Sequence, residues 1–289
     1  MNENDPRRKR ARGHRWILFG LALGFACTCA PRANLRSAKP EFDPINYAFA
    51  TYVGSGIYSN GERSVWLIRI KGSYRVRKEE RDPFGLRVTF NATLGFYDYS
   101  VEDILEFDFP DSIGTVGFVP GVEFRLPLRD NWTFMPFLDL GMATDTQAEQ
   151  TTLVIGIGIR SRAEFPWKAR TNLLWNELLY AENRTTDLTF ESNFSAFSTR
   201  FEVRQPLTTV KGRMTDLGAY AKLEWFFNDV EINRPFREPL RIRERYELGF
   251  TWGTAERWRI AGISMPRIGF GYRFGQGIEA VRFVLSFAY

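Results

Sequence analysis

The last nine residues, VRFVLSFAY, most constrain what this chain can fold into. Val281, Phe283, Leu285, Phe287 and Tyr289 fall on one face of an extended strand. Arg282, Val284, Ser286 and Ala288 fall on the other. Successive strand side chains point to opposite sides, so one face is wholly apolar and the other is small apart from one charge. The two-residue period recurs far upstream. Leu153, Ile155, Ile157 and Ile159 oppose Gly156, Gly158, Arg160 and Arg162. Ile242, Tyr246, Leu248, Phe250 and Trp252 oppose Arg243, Arg245, Glu247, Gly249 and Thr251.

Twelve such segments are expected, at 46–58, 64–77, 84–97, 114–128, 131–143, 151–165, 169–182, 187–204, 216–227, 241–253, 257–274 and 278–289. Short gaps near 128–131, 166–168 and 254–256 alternate with longer ones near 98–113 and 228–240. Short turns at one end and longer loops at the other suit a membrane barrel, and so does an even strand count. Soluble strands run to about 5–6 residues. Most of these segments are about 12–15. Their apolar faces carry Trp66, Trp132, Trp225, Trp252, Trp258 and Tyr289 near the ends, as girdles at a membrane interface would. The expected fold is therefore all-β, a single antiparallel up-and-down transmembrane barrel. The competing fold is a large soluble barrel with its apolar face inward.

The N-terminus reads as a targeting segment. Residues 7–15, RRKRARGHR, are basic, residues 16–26, WILFGLALGFA, are apolar, and small residues follow through Ala30. This order is that of a secretory signal. The expected division is a signal peptide at 1–30, a short periplasmic segment at 31–45 and an outer-membrane barrel at 46–289. The flanks of Cys27 and Cys29 fit a lipidation motif poorly.

The terminal aromatic strand resembles the C-terminal signal that barrel-assembly machinery reads in Gram-negative outer-membrane proteins. That resemblance implies two partners, the assembly machinery and outer-membrane lipid. Twelve strands closed by such a strand also resemble the translocator barrel of autotransporters. The chain departs from that family because only about 15 residues separate the signal from the first strand, so no passenger is expected. The resemblance implies a solitary barrel in the outer membrane.

Residue types limit the chemistry. The chain's single histidine is His14 and its cysteines are Cys27 and Cys29, all within the targeting segment. Hydrolytic barrels that activate a serine or a water mostly use histidine as the base, because its pKa lies near neutrality. Phosphate-binding and EF-hand loops are absent from the sequence. No enzyme activity, cofactor or metal is expected. The acidic run Glu102, Asp103, Glu106, Asp108 and Asp111 reads as a solvated loop, and a fold of that loop into a basic lumen would make it a plug. Glu123 and Asp139, on neighbouring inner faces, are expected to pair with arginines.

The predicted inner faces are rich in cations: Arg69, Lys71, Arg87, Arg125, Arg160, Arg162, Arg200, Lys222, Arg243, Arg245, Arg267, Arg273 and Arg282. Carboxylates among them are fewer, including Glu123, Asp139, Glu202, Glu224 and Glu247. Two readings follow. Salt bridges such as Arg125 with Glu123, Arg204 with Glu202 and Arg245 with Glu247 could fill a narrow, closed scaffold. Alternatively, a basic bore could conduct small anions, since rings of arginine repel cations. A surface adhesion or receptor role is a third reading. Nucleic acid is not an expected partner, because the arginines alternate with apolar residues instead of forming a patch.

Overall fold

A computed structural model of the chain describes residues 51–59, 64–77, 84–97, 113–146, 150–168, 170–185, 191–210, 212–234, 237–254, 259–260, 263–264, 266–276 and 279–287. The expected signal peptide at 1–30, the expected periplasmic segment at 31–45, the acidic run at 102–111 and Tyr289 lie outside them. The strands are β1 (Gly56–Ser59), β2 (Ser64–Arg77), β3 (Gly85–Tyr97), β4 (Thr115–Arg129), β5 (Trp132–Asp145), β6 (Gln150–Trp167) and β7 (Arg170–Thr185). They continue as β8 (Glu191–Val210), β9 (Arg213–Arg234), β10 (Arg237–Thr254), β11 (Arg259–Ile260), β12 (Ile263–Ser264), β13 (Pro266–Phe274) and β14 (Glu279–Phe287).

Twelve of these strands form a closed antiparallel barrel with each strand beside its neighbour in sequence, and β1 closes it against β14. Closure removes the exposed edges that an open sheet would present. Tight hairpins at Asp130–Asn131 and between the paired residues Val210 and Arg213 mark one rim, the turn end. Gly212 takes a φ of +75° there, which only glycine adopts without strain. At the opposite rim, the loop end, β3 ends at Tyr97, β4 begins at Thr115, β7 ends at Thr185 and β8 begins at Glu191.

The alternation is inside out relative to a soluble protein. In β4, Gly117, Val119, Gly121, Glu123 and Arg125 are buried, while Val116, Phe118, Val122 and Phe124 are exposed. In β10, Arg245, Glu247 and Thr251 are buried, while Tyr246, Leu248, Phe250 and Trp252 are exposed. Apolar side chains that face outward around a closed wall require an apolar solvent, which the hydrocarbon of a bilayer supplies. Trp132, Trp167 and Trp252 stand exposed toward the turn end. Trp225 stands exposed nearer the loop end, opposite Glu244, eight residues up β10 from Trp252. A soluble barrel with an apolar interior is thereby excluded.

Three expectations about the wall are corrected. The first strand is not continuous over 46–58: Thr51–Val53 form one helical turn, and β1 begins only at Gly56. No long loop spans 228–240, because the β9–β10 ladder runs up to Arg234 and Arg237. Its register shifts between Arg237 and Leu240 and again between Ile242 and Glu244. Each shift switches which residues face inward, so a strict two-residue period cannot be followed through it. Segment 257–274 is not one strand either, since β11 and β12 pair with each other outside the barrel wall.

Candidate functional site

The inward-facing residues sort into levels along the barrel axis. Toward the loop end the interior is apolar. Leu179 and Ala181 of β7, Phe194 and Ala196 of β8, Phe226 and Val230 of β9, and Ile242 of β10 form one buried cluster with Val53. Phe194 and Phe226 meet edge to face with centroids 5.8 Å apart. Ile242 is therefore an inward residue, buried beside Val230 with which it is in register. Its neighbour Arg243, expected on the inner face, has a side chain 67% exposed and reaches Asp229 at 4.0 Å. The register shift between Ile242 and Glu244 is the cause.

At mid-height the interior is ionic. Glu247 binds Arg273 at 2.6 Å and Arg282 at 2.9 Å, and accepts the Tyr220 hydroxyl at 2.7 Å. Glu224 binds Lys222 at 2.6 Å and Arg245 at 2.7 Å. Arg245 therefore pairs across the β9–β10 ladder rather than with Glu247 on its own strand. Arg160 joins Glu123 at 3.2 Å and Glu177, with its guanidinium over the Phe137 ring at 3.5 Å. Arg125 lies 3.6 Å from Glu123, as expected, and Arg87 is buried nearby. Desolvated guanidiniums need this density of acceptors, because an unpaired buried charge costs several kcal/mol.

Toward the turn end Glu202 gathers Arg200 at 2.8 Å, Arg204 at 3.0 Å and Thr251 at 2.8 Å. Arg267 bridges to Asp216, and Arg162 to Glu164. A cavity of about 570 Å³ occupies this level and reaches up to Tyr52. Among the described residues, nine Arg and Lys side chains and five carboxylates line it. Arg69, Lys71, Arg160, Arg162, Arg200, Lys222, Arg267 and Arg282 of the predicted set are among them. Arg87, Arg125, Arg243, Arg245 and Arg273 are not.

The turn Thr51–Val53 lies across the bore between the cavity and the apolar cluster. Tyr52 donates its hydroxyl to Asp139 Oδ2 at 3.0 Å. Arg273 donates to the Val53 carbonyl at 3.1 Å, Arg282 to the Ser55 carbonyl at 3.1 Å, and Arg69 to the Tyr52 carbonyl at 3.4 Å. Gly156 makes room for Tyr52: a Cβ there would lie 1.8 Å from its Oη. Asp139 thus has a tyrosine partner where an arginine was expected. Sequence reasoning missed Tyr52, and its one legible signal was the unexplained inward Gly156.

Of the terminal strand, Val281 faces outward, and Phe283 packs edge-on against the outward Phe270 at 5.4 Å. Leu285 and Phe287 lie in β14, in register with Ile268 and Pro266. No cluster of three or more metal-ligating side chains occurs among the described residues.

No family profile matches the chain, and no curated protein does. Solved structures with similar folds do exist. The translocator domain of autotransporter NalP from Neisseria meningitidis aligns with a TM-score of 0.51 at 10% identity, covering 79% of this chain and 82% of that one. The beta domain of the Bordetella autotransporter Brka aligns at 0.47 and 12% identity, covering 81% and 96%. With the closed strand order, the first of these places the chain in the twelve-stranded barrel fold of an autotransporter translocator domain.

Proposed function

We propose that the chain is an integral barrel of a Gram-negative outer membrane that is closed by its own interior and has no catalytic role. The crossing of the bore by Thr51–Val53, tied to the wall through Asp139, Arg273, Arg282 and Arg69, carries this reading. The apolar cluster on the loop side of that turn adds a dry layer that opposes the passage of ions. The charges of the wall are the pillars of a filled scaffold, since each named carboxylate serves one or more cations or hydroxyls.

In this reading residues 1–30 direct export, and Val281, Phe283, Leu285, Phe287 and Tyr289 address the chain to the barrel-assembly machinery. The turn end then faces the periplasm. The second reading, a small anion-preferring channel, is favoured by the excess of cations around the turn-end cavity. Planar-bilayer recordings separate the two. A closed scaffold gives no steps above background, whereas a channel gives steps whose anion preference falls when Arg200 is replaced by glutamate. Arg243 is unsuited to that test because it is exposed.

A further inference from the structure

The outward positions of β4, β5, β10 and β13 are apolar along the membrane belt, as exposed Phe118, Leu138, Phe250 and Phe270 illustrate. The stretch from β6 to β8 departs from this. Arg160 and Arg162 of β6, Trp175 and Glu177 of β7, and Ser198 and Arg200 of β8 all line the cavity. The residue between each pair therefore points outward. Those residues are Ser161, Asn176 and Thr199, and the ladders set Asn176 directly opposite the other two. They form one row of neutral polar side chains across three strands, each partly buried.

The row lies at the depth of hydrocarbon. On β7 it stands six residues from Arg170, which pairs with exposed Trp167 at the turn end, and four from outward Tyr180. A transmembrane strand crosses the bilayer in about 9–11 residues, so Trp167 and Tyr180 mark the two interfaces and Asn176 sits between them. Ser161 is served within the chain, by the Trp132 indole N–H at 2.8 Å. The Asn176 amide has no hydrogen-bond partner among the described residues. Acyl chains offer it none, and headgroups and water lie at the interfaces. A bare amide at this depth costs free energy that contact with another protein surface recovers.

We propose that this row is the contact of a symmetric dimer, in which the outer face of β7 and β8 lies against the same face of a second copy of the chain. All copies enter the membrane the same way up, so a two-fold axis between them runs along the membrane normal. Each residue then meets residues of its own depth, and the contact is self-complementary. An amide both donates and accepts, so Asn176 exchanges hydrogen bonds with the same residue of the second copy. The row carries no charge, so two such faces do not repel. Exposed Leu178 and Phe201 flank it and supply apolar surface to pack around the polar centre. This inference rests on the membrane-barrel reading and is independent of whether the bore conducts.

The test is sedimentation equilibrium of the full chain, folded in density-matched detergent micelles. The parent sediments at the mass of a dimer. Asn176→Leu replaces the amide with a side chain that lipid and detergent accept, and it weakens the dimer about ten-fold, the loss expected for two symmetry-related polar bonds in a membrane. Thr199→Val weakens it in the same direction. Ile70→Ala, at an exposed position of β2 on the far side of the barrel, leaves it unchanged. Heat-modifiable gel mobility confirms that each protein is a folded barrel. A parent that sediments as a monomer overturns the proposal. A dimer indifferent to both Asn176→Leu and Thr199→Val in folded protein also overturns it, as does one that Ile70→Ala weakens equally. Loss of heat-modifiable mobility in the parent chain would instead mark failure of the barrel reading itself.

Discussion

The hydroxyl of Tyr52 meets the carboxylate of Asp139 at 3.0 Å, joining a helical turn inside the bore to the barrel wall 87 positions away. Asp139 is 1% exposed, and its other hydrogen-bond donor is Thr89 at 3.5 Å. Tyr52→Phe therefore leaves a buried carboxylate short of a donor, at a cost of about 1–3 kcal/mol. The urea midpoint of the barrel refolded into vesicles should fall accordingly.

The same turn can be displaced from the other side. A Cβ at Gly156 would overlap the Tyr52 hydroxyl and approach its ring carbon to 2.6 Å. Gly156→Val should push the turn aside and produce conductance steps that the parent lacks. Gly72→Ala, whose Cβ would meet only Phe90 at 3.8 Å, should not.

Glu247 stands at the centre of the ionic layer, touching Arg273, Arg282 and Tyr220. Its replacement by alanine leaves the fully buried Arg273 with Glu224 at 3.5 Å as its remaining carboxylate. Breaking a buried pair from one side costs about 3–5 kcal/mol, so Glu247→Ala should sharply lower the unfolding midpoint. Arg243→Ala, at an exposed site, should leave that midpoint where it is.

Much of this was legible in the chain, for reasons that particular residues make plain. Where one strand meets lipid on one side and charge on the other, as at Val116–Arg125, the period of two is clean and the face assignment follows. β7 and β8 read poorly because their faces are mixed. Inward Leu173, Leu179 and Ala181 belong to the interior, while Asn176 sits outward between Ser161 and Thr199 in the ladder. The bulges that turned Ile242 inward and Arg243 outward leave no mark in composition. The turn at Thr51–Val53 was invisible for a different cause: Tyr52 and Val53 alternate as a strand would, and only their partners far along the chain hold them in a helical turn.

The outer face supplies a prediction whose sign depends on the solvent. Leu248 is 55% exposed, and in water an arginine at such a site would be nearly neutral. In a bilayer, Leu248→Arg should destabilise the barrel by about 2–4 kcal/mol if it lies near the midplane. Urea titration of the variant and its parent in vesicles measures the difference, and a value near zero would place Leu248 outside hydrocarbon.

The most direct measurement is single-channel recording of the full chain in a planar bilayer, at neutral pH and high salt. A bore crossed by Tyr52 and sealed by the Phe194–Phe226 cluster predicts a quiet membrane for the parent protein, and discrete steps only once the turn is dislodged, as in Gly156→Val. Stable, anion-selective steps from the unaltered chain would contradict the closed barrel and assign its arginines to a conducting pore.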